Sequence, residues 1–169
     1  MRFIPKALIA IFIVSGLASA QKVSSVSGVW KVAEIVVTGE NPGTLSNPQP
    51  GYMTFGKKYY TIMYVASDKE RPPYAGATPT AQEKVAAFDT LFANAGVYEL
   101  KDNTLTIRPT VARNPGFSGG GYANYRVRRE GDTMWLTSKS GDFNFRIGGK
   151  IAPIPGPANE TTFKLVRLE

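Results

Sequence analysis

Short runs in which apolar and polar residues alternate recur along most of the chain, each closed by glycine, proline, asparagine or aspartate. Successive strand side chains point to opposite faces, so alternation over roughly four to eight residues marks a strand with one buried face. Segments of this kind, or short β-branched runs, cover residues 28–37, 51–55, 59–65, 96–100, 104–111, 122–130, 133–138, 143–147 and 161–168. Turn signals at 56–58, 101–103 and 131–132 join neighbours as hairpins. The pattern predicts an all-β fold: a single antiparallel up-and-down barrel of about 8–10 strands.

One segment departs from the period of two. Residues 80–95 (TAQEKVAAFDTLFANA) set Thr80 and Glu83 in capping-box spacing, followed by Val85, Phe88, Leu91, Phe92 and Ala95 at helical intervals, with Gly96 as the C-cap. This predicts one amphipathic helix whose apolar stripe lies against the barrel, plugging an end or covering a wall. Proline-rich residues 39–50, 68–79 and 151–159 read as loops, two of them candidate lids, and residues 114–121 (NPGFSGGG) as a flexible connector.

The N-terminus reads as an address. Arg2 and Lys6 precede an apolar run at 7–17, and Ala18-Ser19-Ala20 forms a small-x-small cleavage pattern before Gln21. The run is shorter than the roughly 20 residues a spanning helix needs, so the expectation is a cleaved signal peptide over 1–20. The mature domain, 21–169, is then secreted or periplasmic, monomeric, and without a stable membrane span. Cleavage leaves 149 residues and 18 Lys and Arg against 13 Asp and Glu, a net charge of +5. The densest basic spot, Arg126, Arg128 and Arg129, lacks the stripe of stacking aromatics that a nucleic-acid groove shows, so no nucleic-acid partner is expected.

Two absences narrow the chemistry. The chain has no His and no Cys. That removes imidazole bases, thiol nucleophiles and disulfides, and leaves only carboxylates for a metal, so no metal site and no cofactor are expected. Among the carboxylates, Asp102, Asp132 and Asp142 fall in turns, and Glu99 shares its face with Val97. Glu34 is in phase with Trp30 and Val32, unless the strand flips phase between them. No catalytic constellation emerges. Tyrosines in phase with aliphatic residues suit binding better: Tyr60, Ile62 and Tyr64 share one face, as do Tyr98 and Leu100. They line a cavity or fill a core, and the pattern leaves both open. Periodicity places Arg126 outside the barrel, where it is a candidate anchor for an acidic ligand group.

The order of landmarks resembles the bacterial lipocalin-like domain family, within the calycin-type β-barrels. Gly28-Val29-Trp30 is similar to the lipocalin G-x-W opening. Residues 51–55 (GYMTF) with Tyr59-Tyr60-Thr61 resemble a glycine-led hairpin with an aromatic restart. Residues 95–100 (AGVYEL), 126–136 (RVRREGDTMWL) and 163–168 (FKLVRL) resemble later family strands. The resemblance covers nearly all of residues 21–169. It implies an arginine from the last strand, here Arg167, packed over Trp30. Ile107 stands where the family commonly carries a histidine, so the interior is made more apolar there, and any family activity that used that histidine is in doubt.

The sequence-level reading is therefore a binder of a small apolar ligand, lined by Met53, Met63, Tyr64, Tyr98, Leu105, Ile107 and Arg126, with Trp30 and Arg167 structural. Two alternatives stand beside it: a cyclase- or isomerase-type enzyme working in the barrel cavity, and an envelope or surface interaction protein with a filled barrel.

Overall fold

A computed structural model describes residues 22–169. The expected signal peptide, residues 1–20, lies outside the described residues. The strands are β1 (Gly28–Gly39), β2 (Gly43–Leu45), β3 (Tyr52–Phe55), β4 (Tyr59–Val65), β5 (Leu91–Lys101), β6 (Thr104–Ala112), β7 (Tyr122–Glu130), β8 (Thr133–Lys139), β9 (Phe143–Ile147), β10 (Lys150–Pro153) and β11 (Asn159–Arg167). Two helices interrupt them, α1 (Ala81–Thr90) and the single-turn α2 (Pro115–Ser118).

Eight strands close an antiparallel barrel in chain order, β1-β3-β4-β5-β6-β7-β8-β11, with β11 returning to β1. Inward and outward positions alternate along β3 and β8, and along β4 as far as Tyr64. Hydrophobic burial on one face sets these registers, because a one-residue slip would turn every inward side chain to water.

Three elements escaped the sequence pattern. β2 pairs with the second half of β1, inside a stretch read as loop. β9 and β10 form a hairpin whose strand pairing to the barrel is confined to Tyr122 and Ala123 of β7, so the expected strand at 143–147 belongs to this flank rather than to the barrel. The expected flexible connector holds α2, where Asn114 caps the turn by accepting the Gly116 N–H, and Phe117 is buried against Phe145.

The helix is shorter than its apolar spacing suggested. Its capping box forms as expected, with Thr80 and Glu83 exchanging hydrogen bonds. It stops at Thr90, however, and Leu91, Phe92 and Ala95 belong to β5. Pairing β5 with β4 and β6 satisfies its backbone and turns Phe92 and Asn94 inward, which a continued helix would forgo. What remains of the stripe, Val85 and Phe88, is more than half exposed, so α1 neither plugs nor covers the barrel. Arg71 and Arg113 reach its C-terminal carbonyls instead, at Ala87, Phe88 and Asp89, where cations suit the helix dipole. Gly96 is not a C-cap. It sits at an irregularity in the β5–β6 register, where a Cβ would collide with the backbone of Arg108 and Pro109.

A second irregularity, between Val32 and Glu34 of β1, flips that strand's phase. Ile35 rather than Glu34 faces the core, and Glu34 pairs across the strand with Lys164. The phase flip removes the candidate interior carboxylate.

The end of the barrel at the start of β1 is sealed. Trp30 is fully buried and donates its indole N–H to the Val26 carbonyl at 2.8 Å. The Arg167 guanidinium lies 5.8 Å from its ring centroid, with Arg129 on the same ring at 5.1 Å. The segment before β1 ties this end together: the Val23 N–H donates to Asn103 in the β5–β6 turn, and Arg129 donates to the Ser25 carbonyl. Replacing Arg167 by Ala is expected to lower stability by about 1–2 kcal/mol, through the lost cation–indole contact and stem packing. Urea denaturation measures it. An unchanged midpoint would mean that Arg129 alone holds the indole.

Candidate functional site

The interior divides into an aliphatic floor and an aromatic upper half. Met53, Leu105 and Ile107 face inward, each at most 1% exposed, and join Trp30, Ile62, Met134, Leu136 and Leu165 in one packed cluster. Tyr98 belongs to the sealed end rather than to an open mouth. Its ring meets Phe55 edge-on, and its hydroxyl donates to the Gly56 carbonyl in the β3–β4 turn.

Two expected lining residues lie elsewhere. Met63 is 51% exposed, because β4 turns Tyr60, Ile62 and Tyr64 inward and therefore Met63 outward. Arg126 is on the outer surface, as its phase required, and pairs with Glu160 at 3.3 Å.

Above the floor the rings form a continuous chain. Phe92 stacks on Tyr64 at 4.9 Å, Tyr64 meets Phe163 edge-on at 5.4 Å, and Phe163 leads to Tyr125 at 6.5 Å. Tyr125 then meets Phe143, followed by Phe117 and Phe145. Each step lies within the range where aromatic pairs attract. The rings come from β4, β5, β7, β9, β11 and the turn α2, so the chain is a product of closure rather than of local sequence.

Polar atoms sit within this aromatic half. Tyr60 donates its hydroxyl proton to Asn94 Oδ1 at 2.6 Å. The Asn94 side chain is 5% exposed, and its Nδ2 has no partner. Tyr64 and Tyr125 approach Tyr60 closely enough that the Tyr125 phenol is pushed up by burial first and then by both neighbouring phenols. Burial likewise raises Tyr60 and Tyr64, with Arg113 partly offsetting it at Tyr64. All three hydroxyls are therefore neutral at neutral pH.

Asn94 was missed by periodicity because residues 91–95 read as helix. Had the capping-box helix been ended a turn earlier, Phe92 and Asn94 would have fallen in phase with Gly96 and Tyr98. No group of three or more potential metal ligands is present among the described residues, and no helix there is long and apolar enough to cross a membrane.

A cleft of about 480 Å³ lies away from this site, between α1 and the loop at 67–74, walled by Pro72, Pro73, Tyr74, Ala86 and Ala87. Its main polar groups are already engaged: Glu83 caps the helix and accepts from Ala75, and Arg71 holds Ala87. Size alone does not single it out; the interior amide has an unmet donor and this groove shows none.

No protein-family model, no curated protein and no solved structure matches the chain. The function must be read from the site itself.

Proposed function

We propose that this protein is a lipocalin-like binding barrel. In this reading its upper interior takes a small, mainly apolar molecule with one hydrogen-bond acceptor. The observation that carries the reading is the Asn94 amide. A buried donor left without a partner costs roughly 1–3 kcal/mol, and native interiors rarely keep one without a reason. A carbonyl or ether oxygen placed at Nδ2 would satisfy it, while Tyr64, Phe92, Phe163 and Tyr125 offer ring faces to the apolar body. Hydroxyl-rich ligands fit poorly, since each extra polar group would be buried unpaired. The G-x-W opening and the Arg167–Trp30 contact support the family reading, and the leader-like residues 1–20 support export to the periplasm or the medium.

The test is titration with a neutral, environment-sensitive acyl(dimethylamino)naphthalene, which carries a single ketone acceptor. Saturable binding by the protein is expected. Asn94→Leu should weaken it by about 5–10-fold, the worth of one neutral hydrogen bond, while leaving the protein folded. A folded protein that binds no probe, or a variant that binds equally well, would overturn the reading. It would leave the filled-barrel interaction protein, which the tight packing of Trp30, Met53, Leu105 and Ile107 favours.

A further inference from the structure

The barrel wall opens between β7 and the strands on its β8 side. β7 pairs with β8 from Glu130↔Thr133 up to Arg126↔Thr137, and with β9 only at Ala123↔Phe143 and Tyr122↔Asn144. Between these ladders Asn124 and Tyr125 keep β6 as a partner on one side and have no strand partner on the other. The chain leaves β8 at Lys139, turns through Ser140–Asp142 and returns as β9, so the wall parts at this point. Two clefts flank the gap. One, about 180 Å³, reaches Asn124, Tyr125 and Arg126. The other, about 280 Å³, runs along Phe143, Ile154, Pro155 and Pro157. Ser138 and Lys139 line both.

Most polar groups around the gap are committed. Glu160 holds Arg126, Asp142 accepts the Lys139 backbone N–H at 2.7 Å, and the Ser140 hydroxyl donates to the Pro157 carbonyl at 2.7 Å. Two groups are not. The Ser138 side chain is 2% exposed and its Oγ has no hydrogen-bond partner. The Lys139 ammonium makes no ion pair among the described residues. On β8 Ser138 is buried and Lys139 exposed, yet both border the same two clefts where the wall parts. A buried hydroxyl without a partner and a cation without an ion pair on one apolar cleft complement an amphipathic anion.

We infer that this wall cleft binds a short amphipathic monocarboxylate. The carboxylate meets Lys139 and accepts the Ser138 hydroxyl proton, and the apolar body lies along Phe143, Ile154 and Pro155. The charge arrangement favours a monoanion. Glu160 pairs with Arg126 and Asp142 is held by the Lys139 backbone N–H, so Lys139 is the one cation here without an ion pair among the described residues, and a dianion would bring a second charge toward two carboxylates. The site is separate from the interior amide and does not depend on it.

The test is isothermal titration calorimetry of the protein with octanoate, and with octanol as the uncharged counterpart. Octanoate should bind saturably and octanol at least about ten-fold more weakly, since a charge-assisted hydrogen bond is roughly twice as strong as a neutral one. Lys139→Met should weaken octanoate by about ten-fold, and Lys139→Arg should keep it within about three-fold. Ser138→Ala should weaken it several-fold while the melting temperature stays the same or rises, because the variant removes an unpartnered buried hydroxyl. A purely structural serine would show the opposite pairing. Absence of saturable octanoate binding, equal binding of octanol, or unchanged affinity in both Lys139→Met and Ser138→Ala would each overturn the inference. So would loss of octanoate in Asn94→Leu with retention in Ser138→Ala, which would move the carboxylate to the barrel interior. Octanoate binding that survives Asn94→Leu leaves this site standing even if the interior reading fails.

Discussion

Trp30→Ala is expected to cost about 3–5 kcal/mol, the range for deleting a large aromatic from a packed core. Domains of this size are stable by only about 5–15 kcal/mol in total, so the variant should lose a large share of its folding free energy. The loss concentrates here because one side chain joins several elements. The indole N–H holds the Val26 carbonyl, and its ring is covered by guanidinium groups from β7 and β11. The segment it anchors also receives Arg129 at Ser25 and meets the β5–β6 turn at Asn103. Trp30→Phe should retain a large part of the packing and forfeit about 1 kcal/mol for the indole hydrogen bond. Urea denaturation followed by circular dichroism distinguishes these outcomes. A loss below about 1 kcal/mol for the alanine variant would show that the sealed end closes without the indole.

A steep alkaline unfolding is the second expected result. Tyr60, Tyr64 and Tyr125 are held protonated in the folded barrel, chiefly by burial. In the unfolded chain a phenol ionises near its ordinary value of 10.0. Above that pH the unfolded state carries fewer protons than the folded state, so stability falls as pH rises. It is unaffected by these groups at lower pH. Each shifted phenol contributes about 1.4 kcal/mol per pH unit above the unfolded value. With all three phenols still protonated in the folded barrel, the slopes sum to about 4 kcal/mol per unit. Unfolding should therefore set in within one or two pH units above 10, with phenolate absorbance and loss of structure appearing together. Tyr125→Phe should flatten the slope by about 1.4 kcal/mol per unit. Gradual phenolate formation while the barrel stays folded would contradict the buried placement of these hydroxyls.

Glu83 acts in the opposite direction and on a smaller scale. The Ala75 and Thr80 N–H groups and the Thr80 hydroxyl lower its pKa. Its contribution to the α1 cap is present above the ordinary glutamate value and fades as pH falls through the lowered one. The group lies on α1, away from the barrel core, so acid should loosen the helix start without unfolding the barrel.

Much of the barrel was legible because its information is local. Period-two burial in β3, β4, β7 and β8 and the glycine-rich or aspartate-containing turns between strands depend on neighbours two or three residues away. The Trp30–Arg167 contact was legible by resemblance, whereas Arg129 on the same ring was open to phase, since it follows Tyr125 and Val127. The errors have equally physical causes. Residues 91–95 satisfy helical spacing and strand phase at once, and only the backbone partners offered by β4 and β6 decide between them. Glu34 could not be placed because the irregularity after Val32 leaves no mark in residue type.

The sequence by itself determined the architecture class, the turn positions, the helix start and the exclusion of imidazole and thiol chemistry, because each follows from residue identity and short-range periodicity. The tertiary structure alone decided where unmet hydrogen-bonding groups lie. Asn94 acquires its role only when closure buries its amide beside Tyr60, and Ser138 only when β9 diverges from β8 and parts the wall. Whether a polar atom is satisfied depends on partners far away along the chain, and no local pattern encodes that.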